Sequence, residues 1–104
     1  MSEAPALRYF FCRLIPPRPD FARTMSPEER ALMREHGAHW MKHMEAGRVI
    51  VFGPVADSAG DWGLGVVRGP DIGAIESLRN GDPVMRVPGF RYEISPMHAA
   101  VTPI

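Results

Sequence analysis

The chain has 104 residues, with 12 basic and 12 acidic side chains, 45% hydrophobic residues and 23% charged ones. That suffices for a single α+β-sized globular domain over 1–104 and excludes a disordered chain, and the balanced charge leaves no field to gather phosphates, which argues against nucleic acid as a partner. No apolar run nears the roughly 20 residues that span a bilayer. The first residues lack the basic and apolar segments of a secretory signal, and the lone Cys12 excludes an internal disulfide and a thiolate metal site, so a cytoplasmic protein with no membrane partner is expected.

In chain order, residues 7–15 are rich in aromatic and branched side chains (Tyr9, Phe10, Phe11, Leu14, Ile15) and read as a strand. Pro16, Pro17 and Pro19 stop it and open a rigid loop carrying Arg18 and Asp20. Ser26-Pro27-Glu28-Glu29 is a helix start: serine as N-cap, proline in the first turn, acids at the positive helix end. The helix runs to Ala46, with Gly47 as its left-handed stop, and Met33, Trp40 and Met44 form its buried stripe with Met41 beside it. Gly37, on the same line, is expected to admit another backbone or a ligand.

Residues 48–52 form a near-continuous apolar strand, expected to be central in a sheet, which Gly53-Pro54 ends or bends. Ser58-Ala59-Gly60-Asp61 is turn chemistry, and residues 62–67 give a third strand. Residues 71–79 read as a shorter helix with Ile72, Ile75 and Leu78 inward, and Asn80-Gly81-Asp82-Pro83 breaks it, with Asp82 as a turn or cap residue. Residues 89–97 alternate as a last strand. The order β-α-β-β-α-β folds into a four-stranded antiparallel sheet with both helices on one face. The other face would stay bare and apolar, which a homodimer packed through the open sheet face would cover.

Several residues carry candidate chemistry. His36 lies at the edge of the apolar stripe and reads either as a boundary histidine or as a general base facing a sheltered space. Asp57, after the Gly-Pro turn, reads either as a turn residue or as the carboxylate that orients His36. His39 and His43, four apart, have metal-ligand spacing but lack an obvious third ligand, so a polar helix flank is the stronger reading. Arg13 and Arg18 are candidates to anchor a carboxylate or phenolate, and Trp40, Phe52, Trp62 and Tyr92 to line a pocket for a ring. A thiol inside a strand, as at Cys12, is usually inert. Gly63-Leu64-Gly65 lacks the third glycine and following helix of a phosphate loop, and no cofactor is expected.

The pattern His36, Trp40-Met41, Glu45-Ala46-Gly47, Phe52-Gly53-Pro54, Asp57, Trp62-Gly63-Leu64-Gly65 and Asn80-Gly81-Asp82-Pro83 resembles the YciI-like (YCII-related) family over most of the chain. The resemblance implies a ferredoxin-like fold, a dimeric α+β barrel, and a histidine-aspartate pair in a pocket, which fall here on His36 and Asp57. It also implies an enzyme-like activity, related barrels handling small ring compounds and lactones. The expected function is therefore a cofactor-independent lyase or isomerase acting on a small molecule by proton transfer. The alternatives are a non-catalytic ligand-binding dimer, or a metal-dependent enzyme using His36, His39 and His43.

Overall fold

The structure, a computed structural model, describes residues 7–103. Its elements are β1 (Arg8–Ile15), α1 (Phe21–Thr24), α2 (Pro27–Glu45), β2 (Val49–Val55), β3 (Trp62–Gly69), α3 (Ile72–Asn80), a 3-10 turn (Pro83–Arg86) and β4 (Arg91–Pro96). The strands make one antiparallel sheet in the order β2-β3-β1-β4. This is the expected α+β, ferredoxin-like arrangement.

Strand alternation decides which side is the core. Phe10, Cys12 and Leu14 of β1 are buried and lie opposite Val67, Gly65 and Gly63 of β3. Trp40 of α2 and Ile75 and Leu78 of α3 join the same cluster, so both long helices cover one face. Tyr9, Phe11 and Arg13 occupy the alternate positions, opposite Arg68, Val66 and Leu64, and belong to the other face. Val51 on that face is 47% exposed.

Two expectations about β2 are overturned. It is an edge strand, not a central one, and it continues through Gly53-Pro54 to Val55. The two facts share a cause. An edge strand has one side free of ladder hydrogen bonds, so proline's missing N–H is tolerated there. The apolar run reflects packing against α2, not neighbours on both sides.

α2 starts as its sequence requires. Ser26 Oγ accepts from Glu29 N (3.1 Å), and Glu29 Oε1 accepts from Ser26 N (2.9 Å). The same Glu29 carboxylate takes a two-pronged contact from Arg18 (2.9 and 2.8 Å), whose guanidinium also donates to the Thr24 carbonyl (2.6 Å). These contacts, Arg18 foremost, hold the Glu29 carboxyl down at about 2. They fasten the proline loop to the head of α2. Inside that loop the unforeseen α1 seats Phe21 edge-on against Phe90, with ring centres 5.4 Å apart.

Of the stripe on α2, Trp40 is buried, Met44 packs partly against the core and Met41 is exposed. Gly37 has open space where a side chain would stand, with no atom within 4 Å, so no backbone approaches it. The glycine that permits close approach is Gly65. A Cβ there would lie 2.5 Å from two ring carbons of Trp40. The indole thus packs close on β3 because this residue has no side chain.

Candidate functional site

α2 sets His36 and Trp40 one turn apart on the same side, facing the sheet. α3 ends at Asn80, and Gly81-Asp82 swings the chain into the 3-10 turn. Asp82 caps that turn: its Oδ1 accepts from Val84 N (3.1 Å). Its Oδ2 is a hub. His36 Nδ1 approaches it at 2.7 Å, Trp40 Nε1 donates to it at 2.9 Å, and the Tyr92 hydroxyl of β4 donates to it as well. Trp40 Nε1 also reaches the Tyr92 oxygen at 3.0 Å. Asp82 is only 1% exposed.

A buried carboxylate would ordinarily favour its neutral form. Burial does push Asp82 up, but the hydrogen bonds from His36 and Tyr92, the positive charge available on His36 and the Val84 N–H outweigh it, and the net direction is below the usual carboxylate range. Asp82 is therefore an anion. Tyr92 moves the other way: burial, then the charge of Asp82, push its phenol far up, so it stays a neutral donor. With Asp82 accepting at Nδ1, the imidazole carries a hydrogen there, so in its neutral form the lone pair is at Nε2.

His36 and Trp40 line a cavity of about 340 Å³ between α2, the proline loop and the sheet. Its walls are mostly apolar, from Leu14, Met33, Phe52 and Phe90, with Cys12 at the sheet. Burial pushes the Cys12 thiol up to about 11, so it is a neutral wall group.

The YCII-related domain matches residues 9–98. The chain belongs to the YCII-related family. The fold is similar to that of the uncharacterized protein TM1266 from Thermotoga maritima, with a TM-score of 0.53 and 13% identity over 88% of this chain and 99% of that one. No curated protein matches the chain.

Within this YCII-related fold the expected site residues separate into two groups. His36, Trp40, Phe52 and Trp62 border the cavity. Asp57 does not partner His36: its Oδ1 accepts from Ala59 N (2.8 Å) and its Oδ2 from Trp62 Nε1 (3.1 Å) at the β2–β3 turn, so the orienting carboxylate is Asp82. Those two contacts, Ala59 first, lower the Asp57 carboxyl. Arg13 lies on the other sheet face, stacked 4.8 Å from the Trp62 ring and 3.9 Å from Glu93, because its position in β1 alternates with the inward Cys12 and Leu14. Arg18 is spent on Glu29. His39 meets the Leu78 carbonyl (2.8 Å) and His43 meets Arg48 (3.1 Å), so the three helical histidines do not converge. Among the described residues no group of three His, Cys, Asp or Glu side chains is placed to hold a metal.

Asp82 was legible only as a cap. One signal pointed further: Trp40 and Tyr92 both occupy inward positions, and a buried indole N–H and phenol need an acceptor.

Proposed function

We propose that this YCII-related protein is a cofactor-independent enzyme of the lyase or isomerase kind, in which His36 Nε2 takes and returns a proton on a small molecule held in the cavity. The observation that carries the reading is the contact of His36 Nδ1 with a buried, anionic Asp82 on the wall of an apolar cavity. Asp82 is a positioning residue: it holds the imidazole's orientation and supports the imidazolium once Nε2 is protonated. In the step, a substrate C–H breaks and its proton goes to Nε2, while the electron pair moves onto an adjacent carbonyl. The proton then returns at another carbon, or a leaving group departs with the pair. Trp40 and Phe52 form walls around the ring or chain being handled, while the Trp62 ring packs with Arg13 and Phe11 on the other sheet face. Such proton transfer contributes about 10²- to 10⁴-fold.

The test is deuterium uptake from heavy water next to the carbonyl of a cyclic ketone such as cyclohexanone, followed by NMR. Uptake should fall by about 10²-fold or more in His36→Gln. Equal rates in both proteins would remove the proton-transfer reading. Nitrogen NMR of His36 should show hydrogen at Nδ1, and Asp82→Asn should shift the tautomer balance.

A second reading is a binding module without turnover. The same Asp82 contacts tie α2, the 3-10 turn and β4 together, as a purely structural brace would. Ligand affinity that survives His36→Ala, with no exchange, favours it.

The proposal includes a second copy on the open sheet face, in a cytoplasmic protein. Phe11, Val51 and Val66 are mutual register neighbours there, and Arg13 and Arg91 flank Glu93. A twofold-related copy can set each arginine against a glutamate around that apolar centre. Val51→Asp, at a half-exposed site, should yield monomers by analytical ultracentrifugation with folding intact; an unchanged sedimentation profile would defeat this arrangement.

A further inference from the structure

We infer that the cavity takes an uncharged, compact, largely apolar molecule, offers it one hydrogen-bonding contact at His36, and excludes carboxylates and phosphates. This rests on the proton-transfer reading for the role of His36 and adds the class of substrate.

The argument begins with charge. Among the described residues no lysine or arginine lines the cavity. Several arginines close in sequence to its walls are engaged elsewhere: Arg13 with Glu93 and Trp62 on the opposite face, Arg18 with Glu29, Arg91 beside Glu93. Arg48, which meets His43, and Arg68, which donates to the Gly47 carbonyl, border a separate groove at the far end of α2. The acidic residues are at the cavity itself: Asp61 lines it and Asp82 stands behind His36. An anion entering would lose its water, find no counter-charge and face two carboxylates.

Polar contacts come next. Tyr92 and Trp40 line the cavity, yet both direct their hydrogens to Asp82. The Cys12 thiol stays neutral. Asp61 Oδ1 accepts from Asp57 N (3.4 Å) at the β2–β3 turn, and on the α2 wall His36 Nε2 is the polar side-chain atom left without a protein partner among the described residues. A ligand with several hydroxyl or carboxyl groups would bury donors and acceptors unpaired. Size completes the description. About 340 Å³ accommodates a ring compound of about ten non-hydrogen atoms, at roughly 30 Å³ for each water-sized unit. An uncharged carbon or oxygen acid of that size presents its one acidic hydrogen to Nε2 and its remaining surface to Leu14, Met33, Phe52 and Phe90.

Three probes of matched size test this on the full chain: benzyl alcohol, benzoate and benzylamine, titrated against the Trp40 indole N–H and the Gly63 and Leu64 amide resonances. Benzyl alcohol should shift these signals, and benzoate should bind at least about tenfold more weakly. Benzoate or benzylamine binding as tightly as the alcohol overturns the inference, as does the absence of any shift with all three up to their solubility limits. Met33→Lys, on the half-buried cavity wall, should reverse the order in favour of benzoate; an unchanged order means that something other than the missing cation sets the preference, and also overturns it. Benzyl alcohol preferred, with no His36-dependent deuterium uptake by cyclohexanone, leaves the ligand class standing and removes the proton-transfer reading alone.

Discussion

Asp57 and Asp82 occupy corners that are nearly duplicates. Each carboxylate accepts from the backbone N–H two residues on, Ala59 in one case and Val84 in the other. Each also accepts from a tryptophan indole, Trp62 at 3.1 Å and Trp40 at 2.9 Å. What separates them is burial and the two further donors, His36 and Tyr92, that only Asp82 receives. Capping chemistry is thus common to both and carries no functional information. An aspartate becomes part of a candidate site when its second oxygen is enclosed with donors that have nowhere else to turn.

Removing each carboxylate should break the likeness. Asp82→Ala leaves the Tyr92 hydroxyl and His36 Nδ1 unpaired in a buried place and the Trp40 indole with only the Tyr92 oxygen, a loss of about 3–5 kcal/mol, read from the urea midpoint. Asp57→Ala exposes its two donors to water and should lower the midpoint far less. Similar losses would mean that the enclosure of Asp82 contributes nothing, and the distinction between the corners would fall.

Two glycines sharpen the comparison from the other side of Trp40. At Gly65 a new Cβ meets the indole at 2.5 Å, and the ring cannot withdraw without releasing Asp82. Gly65→Ala should therefore destabilise by about 1–3 kcal/mol and weaken the near-ultraviolet dichroism of the tryptophans. Gly37→Ala, in the same helix as Trp40 but with nothing within 4 Å, should stabilise by about 0.5–1 kcal/mol. If both substitutions act in the same direction, close packing of Trp40 on β3 is not what holds the hub.

The sequence carried the fold well because its signals are local: the Ser26 start and Gly47 stop of α2, and alternation in β4. It failed where an outcome depends on neighbours in space. The edge position of β2 is a property of the whole sheet, and an apolar run looks alike at the edge and in the middle. His36 was legible from its place beside the apolar stripe. Its partner was not, because 46 positions separate His36 from Asp82 and both aspartates sit in turn motifs that justify them locally. The family resemblance favoured Asp57 by spacing. Which carboxylate meets the imidazole is decided by where α3 ends and how the 3-10 turn lies against α2.

The smallest expected effect is also the most specific to the hub. Asp82 has a folded-state pKa below its ordinary value of 3.8. Its contribution to stability is therefore present in full above that value and is lost as the pH falls through the lower folded-state value. In the acid window below about pH 5 the stability of the natural protein should fall more steeply than that of Asp82→Asn, which has no proton to gain there. Glu29, held at about 2 by Arg18, titrates toward the acid end of the same window. It does so in both proteins and cancels in the difference, as does Asp57, which is lowered by Ala59 and Trp62. Parallel curves would mean that Asp82 gains as little from its donors as a solvated carboxylate does, and the positioning role assigned to it would lose its electrostatic basis.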